Sequence, residues 1–262
     1  MLELIKAAPL SDQAGLEHGF TTRKGGVSRG PYDSLNLTWS RGDEKAAVTE
    51  NRRRLSEALG GPTLVFANQV HGRTVLRVDS PPQGVWSAGE ADALMTDQPS
   101  LALCAQCADC VPVVLFDPVR RAIAAVHSGW RGAVQNIVGA TLDAMNEAYA
   151  TRPGDVRAAI GPAISKARYR VGAEVLDQFQ ALFGALDTGL IGQRDVEGGA
   201  GLDVAEAVRR QLVAHGVAEH AISLTRACTF AEQERFFSSR RAARDGHAGQ
   251  FGGQVGVVAL TD

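Results

Sequence analysis

Residues 101–132 read LALCAQCADCVPVVLFDPVRRAIAAVHSGWRG, and the class of fold follows from this segment. Three apolar runs inside it, residues 101–104, 111–116 and 121–126, have the length and composition of buried strands. From residue 134 to Tyr149, apolar side chains recur at steps of three and four, which predicts an amphipathic helix packed by one face. Buried strands followed by such a helix predict a protein of the α/β class.

The flanking sequence adds helices and one more strand. Asp203 has the position of a helix N-cap, and Gly216 would end the helix that follows it. Apolar spacing ahead of Gly60 predicts another helix, and residues 255–260 predict a final strand. Because strands and helices do not alternate strictly and no linker interrupts them, we predict a single-domain mixed α/β sandwich over residues 1–262.

Composition argues against several classes of function. The 262-residue chain has 45% hydrophobic residues and a formal net charge of −2, so it can bury a core and has no basic excess for a nucleic-acid partner. No apolar run reaches the roughly 18 residues of a membrane span, and no signal peptide is recognised. Three of the four cysteines fall within seven residues, which indicates metal binding or catalysis rather than disulfides. We therefore expect a cytoplasmic protein with no membrane or nucleic-acid partner.

Two histidines and one cysteine lie where the predicted strands begin or end. His71 closes the run Asn-Gln-Val-His, Cys110 precedes the second apolar run, and His127 follows the third. Strand ends are where α/β proteins place reactive groups, so the three side chains are candidates for one site. Two imidazoles and a thiolate suit zinc, and three protein ligands leave the open position that a catalytic zinc needs. Taken singly, each residue is equally well explained as a hydrogen-bonded or buried side chain.

The spacing Cys104-x-x-Cys107-x-x-Cys110 allows a second metal interpretation, because it resembles part of an iron–sulfur motif. Such a cluster usually needs a fourth thiolate, and the remaining cysteine, Cys228, is far along the chain. Cys104 also lies inside an apolar strand, where its side chain would point into the core. We therefore favour the zinc site.

Several cationic side chains are candidates for binding phosphate. Arg131 follows the third strand and precedes the amphipathic helix, whose N-terminal N–H groups would favour an anion. Arg23, Lys24, Arg240 and Arg241 are further candidates, because an arginine beside aromatic residues can stack on a base or bind phosphate. A solvated charge is the alternative for each of them. The chain lacks the glycine-rich motifs of nucleoside triphosphate and dinucleotide sites.

Nine short motifs together resemble the YfiH-type laccase-domain family, also described as multicopper polyphenol oxidoreductases and as purine nucleoside phosphorylases. They occur in the family's order from about Gly19 to the C-terminus. They are Gly19-Phe20-Thr21-Thr22-Arg23-x-Gly25-Gly26-Val27-Ser28, Ser34-Leu35-Asn36-Leu37, Asn68-Gln69-Val70-His71-Gly72, Glu90-Ala91-Asp92-Ala93-Leu94, Ala108-Asp109-Cys110-Val111-Pro112, His127-Ser128-Gly129-Trp130-Arg131-Gly132, Ile160-Gly161-Pro162, Cys228-Thr229 and Phe237-Ser238-Ser239-Arg240-Arg241.

The resemblance implies a fold similar to that of a bacterial toxin deamidase, with zinc bound by His71, Cys110 and His127. It implies phosphorolysis of adenosine, inosine, guanosine and methylthioadenosine, with phosphate as the second substrate, together with adenosine deamination. Residues in the matching motifs then become candidates for two roles, catalytic for Asp109 and Arg131, and substrate-binding for Arg23, Asn36, Asp92 and Arg240.

The role of the carboxylate next to Cys110 stays open in the sequence. Deamination needs a group that moves protons, and Asp109 and Asp92 are the nearest carboxylates by motif. Asp109 could equally orient His71 or His127 through a hydrogen bond, and we lean towards this second role.

Three other functions remain as alternatives. In a metal-free hydrolase, His127 would activate Cys110 as a nucleophile. A copper-dependent polyphenol oxidase would need many clustered histidines, whereas the chain has six, and His18, His215, His220 and His247 lack any clustered arrangement. Some members of the family are described as editing factors for peptidoglycan precursors, and a binding role of this kind is the third alternative. The sequence does not indicate an oligomeric state.

Overall fold

The computed structural model describes residues 2–80 and 87–261. Among these residues the strands are β1 (Leu4–Ile5), β2 (Leu16–Thr21), β3 (Thr63–Val65), β4 (Val75–Arg77), β5 (Ala93–Thr96), β6 (Leu101–Cys107), β7 (Val111–Asp117), β8 (Ala122–Ser128), β9 (Arg157–Ile160), β10 (Arg170–Val171), β11 (Ala200–Gly201), β12 (Ile222–Leu224) and β13 (Gln254–Leu260). The helices are α1 (Ala8–Ser11), α2 (Lys45–Ala58), α3 (Trp130–Val134), α4 (Ile137–Tyr149), α5 (Ala173–Phe183), α6 (Val204–Ala214) and α7 (Ser239–Arg244). None of these helices is long and apolar enough to cross a membrane.

Two mixed sheets form the centre of the fold. The five-stranded sheet has the order β1-β2-β13-β6-β3, and the six-stranded sheet has the order β12-β9-β7-β8-β5-β4. Strands β7 and β8 pair antiparallel along their whole length, so Val111 at the start of β7 lies opposite Ser128 at the end of β8. This pairing brings the residue before β7 next to the last residues of β8.

Side chains of the central strands alternate between two apolar layers, as a period of two requires. In β7, Val113 and Leu115 pack with the helices α4, α5 and α6, whereas Val114 and Phe116 pack between the two sheets. Both faces of the strand are buried, which explains why its sequence is apolar without interruption.

Helix α2 covers the outer face of the five-stranded sheet, where Leu55 packs with Cys104 and Val257. The layers therefore run from one helix, through two sheets, to a group of helices. The predicted mixed α/β sandwich is confirmed.

The amphipathic segment after β8 differs from its prediction. It forms two helices, α3 and α4, separated at Asn136, which adopts a left-handed conformation with φ 55°. The Asn136 side chain accepts a hydrogen bond from the N–H of Gly139 and so begins α4. A left-handed asparagine with a capping side chain interrupts the helix without disturbing the apolar spacing, which is why that spacing predicted one helix. The helix at Asp203 is confirmed, because this side chain accepts from the N–H of Glu206.

A buried histidine makes the stability of the fold depend on pH. His18 is 1% exposed, and its Nε2 accepts a hydrogen bond of 3.0 Å from the N–H of Ala7. Burial, assisted by the charge of Lys6, lowers the pKa of His18 to about 4. The unfolded chain binds a proton here below a pH of about 6.5, whereas the folded chain does not, so stability falls as pH falls between these two values.

We expect this histidine to lower the free energy of unfolding by roughly 2 kcal/mol between pH 7 and pH 5. Urea unfolding at both pH values measures the loss. His18→Gln should show a smaller loss, because glutamine does not titrate, whereas His220→Gln at an exposed position should behave like the unchanged protein. Equal pH dependence of His18→Gln and the unchanged protein would contradict the assignment.

Candidate metal and substrate site

His71, Cys110 and His127 converge at one end of the β7–β8 pair. His127 is the penultimate residue of β8, and Cys110 directly precedes β7, so the antiparallel register places them side by side. His71 reaches the same point from the loop after β3. The three side chains offer ligand atoms that all lie within 4.8 Å of one another.

The packing around this group is close. The Sγ of Cys110 lies 3.8 Å from the Nε2 of His71, and the rings of His71 and His127 meet edge to face with centroids 4.9 Å apart. A Cβ atom on Gly129 would lie 3.1 Å from the Cys110 Sγ and 2.9 Å from the His71 ring. Glycine at position 129 therefore leaves the space that the three side chains occupy.

The buried residue Asp92 orients His71 and His127 through hydrogen bonds. Its buried carboxylate accepts a 2.8 Å hydrogen bond from the Nδ1 of His127, which turns the Nε2 of that ring towards Cys110. The same carboxylate accepts from the backbone N–H groups of Val70, His71 and Gly72. These bonds hold His71 in the left-handed conformation, φ 61°, that presents its ring to the site. Although burial opposes the charge, the hydrogen bonds lower the pKa of Asp92.

The three side chains also set each other's charge. Loss of water around Cys110 alone would raise its pKa, but the charge of His127 and hydrogen bonds from both imidazoles lower the pKa of Cys110 to about 6. Burial alone would lower the pKa of His127, but Cys110 and Asp92 favour the protonated ring and raise that pKa to about 9. The thiolate, which is the form of cysteine that binds metals, is therefore available near neutral pH.

The donor set suits a transition metal ion. Two imidazole nitrogens and one thiolate sulfur, with the second nitrogen of His127 bonded to a carboxylate, match the donors and supporting contacts of known metal sites. Within residues 2–80 and 87–261, no second group of three metal-ligating side chains is found. The three cysteines 104, 107 and 110 do not form such a group, so the iron–sulfur alternative finds no support.

The three side chains open into a cavity of about 720 Å³, within the range of small-molecule sites. Besides them, the residues that line it are polar, cationic and aromatic in mixture, and include Trp39, Arg41, Arg52, Asn68, Gln69, Gln106, Asp109, Trp130, Arg131, Tyr169 and Arg240. The cavity is thus suited to a polar, anionic ligand with a flat ring.

Both predicted catalytic residues lie in the cavity wall, but the carboxylate of Asp109 forms its hydrogen bonds away from the two histidines. Its Oδ1 accepts from the hydroxyl of Thr229 and its Oδ2 from the backbone N–H of Arg240, each at 2.7 Å. The predicted role of orienting His71 or His127 is therefore wrong for Asp109, and Asp92 has that role instead.

Arg131 and Arg240 are exposed and face the cavity from different helices. Arg131 of α3 stacks on Trp130, 4.4 Å from the ring centroid, and forms no ion pair with any described residue. Arg240 of α7 lies over the ring of Tyr169 at 5.1 Å and donates to the carbonyl of Arg170. Both are placed to bind an anion.

Three predicted substrate contacts do not line the cavity. Asn36 is fully buried and holds the loop at residue 38 and the backbone of Gly253. Arg23 donates to the carbonyls of Asp33 and Gln233. Asp92 is buried behind the histidines. Most of their polar atoms form hydrogen bonds within the protein and position its backbone, and their contact with a substrate stays a prediction.

Two arginines of the cavity were missed by the sequence reasoning. Arg52 lies on α2, and Arg41 lies in the loop before that helix. In sequence, both fall in a polar segment of ordinary helix composition, where an arginine is usually a solvated charge. Only the packing of α2 against the five-stranded sheet brings them to the site.

Known proteins resemble this chain in sequence and structure over nearly its whole length. Residues 17–261 match the family model described as multi-copper polyphenol oxidoreductase laccase. A purine nucleoside phosphorylase of Deinococcus radiodurans is 40% identical over 261 residues, which cover 99% of this chain and 93% of the relative. One of Bacteroides thetaiotaomicron is 39% identical over 241 residues, 88% of each chain. The crystal structure of YlmD from Geobacillus stearothermophilus superposes with a TM-score of 0.88 at 32% identity, covering 98% of this chain and 94% of that one.

Proposed function

The chain belongs to the family of multi-copper polyphenol oxidoreductase laccases, as its motifs predicted, and from this premise we propose that it is a zinc-dependent purine nucleoside phosphorylase. One observation supports this above all others. The convergence of His71, Cys110 and His127 lies in the wall of a cavity that also contains Arg131 and Arg240. Relatives that bear the name purine nucleoside phosphorylase support the choice of reaction.

Zinc is the metal we assign to His71, Cys110 and His127, because three nitrogen and sulfur donors are the usual protein ligands of a catalytic zinc. When bound, it supplies a Lewis acid that stabilises negative charge on the substrate. Copper would need further histidines for a multicopper centre, and no such group occurs in residues 2–80 and 87–261.

Phosphorolysis places clear demands on the protein's own residues. A phosphate oxygen forms a bond to C1′ of the ribose while the bond from C1′ to the purine nitrogen breaks, and the purine leaves with the electron pair and takes up a proton. Arg131 and Arg240 would hold the phosphate against C1′. Asp109 fixes the backbone of Arg240 and so positions its side chain. Adenosine, inosine, guanosine and methylthioadenosine all fit this scheme.

We propose that the same cavity deaminates adenosine to inosine. The oxygen of a water molecule forms a bond to C6 of the purine, and the amino group leaves as ammonia. Metal-replete protein should then convert adenosine to inosine alone in phosphate-free buffer, and also release purine base when phosphate is added. Chromatography of the products distinguishes the two reactions. Release of base without phosphate would contradict phosphorolysis, and unchanged adenosine in phosphate-free buffer would contradict deamination only.

A Cys–His hydrolase is the second candidate, and a specific arrangement favours it. The imidazole of His127 lies between the thiol of Cys110 and the buried carboxylate of Asp92 and forms a hydrogen bond with each of them. Cysteine nucleophiles use this arrangement. The same arrangement also suits a metal site, in which Cys110 and His127 are ligands and Asp92 orients His127. Activity of the metal-free protein is therefore the observation that separates the two functions.

Asp92→Asn is expected to weaken zinc binding by about 10–100-fold, because the amide is a poorer acceptor for the His127 ring and no longer balances the ligands' charge. Competition with a chromophoric chelator measures the affinity. Asp117→Asn is the matched control, since this carboxylate is equally buried but lies at the far end of β7. Equal zinc affinity of the two variants would contradict the role of Asp92.

A further inference from the structure

The cavity contains more positive charge than one inorganic phosphate needs. Four arginines line it, Arg41, Arg52, Arg131 and Arg240, and among the described lining residues Asp109 is the one carboxylate. Both oxygens of that carboxylate already accept hydrogen bonds from the protein. The arginines are therefore not neutralised by the wall of the cavity itself.

The four arginines fall into two pairs according to the side of the fold from which they reach the cavity. Arg131 and Arg240 both lie near Tyr169. Burial raises the pKa of Tyr169 to about 12, and the charges of the two arginines act in the opposite direction. The other pair comes from the opposite outer layer of the sandwich, since Arg52 lies on α2 and Arg41 in the loop before it. Positive charge thus faces the cavity from two sides of the fold.

The second pair is held in an apolar setting that leaves its charge without a partner. The Arg52 guanidinium lies 3.5 Å from the centroid of Phe66 and donates through Nε and Nη2 to the carbonyl of Leu37. Burial lowers the pKa of Arg52 to about 9 and lowers the pKa of Arg41, which packs 3.9 Å from the centroid of Phe251.

Neither arginine of this pair forms an ion pair with a carboxylate in the part of the chain that the structure describes. Cys110 and Asp109 act on Arg41 only as more distant charges. Half-buried cations without an ion-pair partner are costly, and an anionic ligand would relieve that cost.

We propose that Arg41 and Arg52 form a second anion subsite, and that the cavity accepts nucleoside 5′-monophosphates in addition to nucleosides. This inference rests on the proposed function, in which inorganic phosphate binds at Arg131 and Arg240. With that phosphate at C1′ and a neutral purine, the position of a purine nucleoside that commonly carries an anionic group is its 5′ oxygen. The second pair of arginines would bind that group.

Calorimetry with inosine and inosine 5′-monophosphate tests the subsite. Metal-replete protein is titrated in phosphate-free buffer, where neither ligand undergoes phosphorolysis, and again with sulfate as an unreactive substitute for inorganic phosphate. The monophosphate should bind on the order of tenfold to a hundredfold more tightly than inosine, because a phosphate gains charge-assisted hydrogen bonds. This preference should persist in sulfate, since sulfate occupies the other pair.

Arg41→Met should reduce the ratio of the two affinities by about tenfold or more, because methionine retains the contact with Phe251 and removes the charge. Arg53→Met is the matched control, since Arg53 lies on α2 in exposed ion pairs with Glu50 and Glu57. Its ratio should equal that of the unchanged protein.

The outcomes separate this inference from the proposed function. If inosine undergoes phosphorolysis but the monophosphate binds no better than inosine, or if sulfate abolishes its advantage, the second subsite is disproved and the function stands. If inosine is never converted but Arg41→Met removes tight binding of the monophosphate, the subsite stands and the function is disproved.

Discussion

Cys110→Ala is expected to lose its zinc and to convert inosine at least about a thousandfold more slowly than the unchanged protein. The Cys110 Sγ lies among the ligand atoms of His71 and His127, and the two histidines that remain make a poor site for a catalytic zinc. Loss of a metal removes several kcal/mol of charge stabilisation, which corresponds to a rate loss of about this size. In the proposed function both reactions depend on the same ion, so adenosine deamination should fall together with phosphorolysis.

Metal analysis of the purified variant, together with its rate, checks this result. Cys104→Ala is the control, because Cys104 is equally a free cysteine but is buried under α2. A chelator applied to the unchanged protein should reproduce the loss, and added zinc should restore activity. Full activity in metal-free protein would instead favour the hydrolase, in which Cys110 is the nucleophile.

Arg131→Ala is expected to lower kcat/KM for phosphorolysis roughly 30-fold to 1000-fold, which corresponds to a loss of about 2–4 kcal/mol of transition-state stabilisation. Its guanidinium faces the cavity and forms no ion pair with a described residue, so its charge is available to phosphate. Deamination of adenosine uses no phosphate and should fall much less. Steady-state kinetics with varied phosphate measures the first effect, and adenosine in phosphate-free buffer measures the second.

Arg120→Ala is the control for this change, because Arg120 is also exposed but follows the far end of β7. It should leave both reactions as they are in the unchanged protein. An equal loss of phosphorolysis and deamination in Arg131→Ala would show that Arg131 does not act through phosphate.

The long central strands and the three metal-binding candidates could be predicted because their signals are local. Unbroken apolar runs predicted β6, β7 and β8. The positions of Cys110 and His127 at strand ends made them candidates for one site, and the family resemblance implied that they share it. The break between α3 and α4 had no such signal, because the left-handed turn at Asn136 leaves the apolar spacing unchanged.

The supporting contacts could not be predicted, because they join residues far apart in the chain. Asp92 accepts from His127, 35 positions away, and Asp109 accepts from Arg240, 131 positions away. Nothing in the local sequence distinguishes a carboxylate that orients a histidine from one that anchors a helix. Asn36 was assigned to substrate by motif for the same reason, although its side chain holds the backbone of Gly253.

Incubation of inosine with metal-replete protein, with and without phosphate, tests the proposed function most directly. Chromatography for hypoxanthine and an enzymatic assay for ribose 1-phosphate follow both products. We expect hypoxanthine and ribose 1-phosphate in equal amounts when phosphate is present, and intact inosine when it is absent. Intact inosine in both buffers, from folded protein that contains zinc at His71, Cys110 and His127, would contradict the assignment of nucleoside phosphorolysis to this chain.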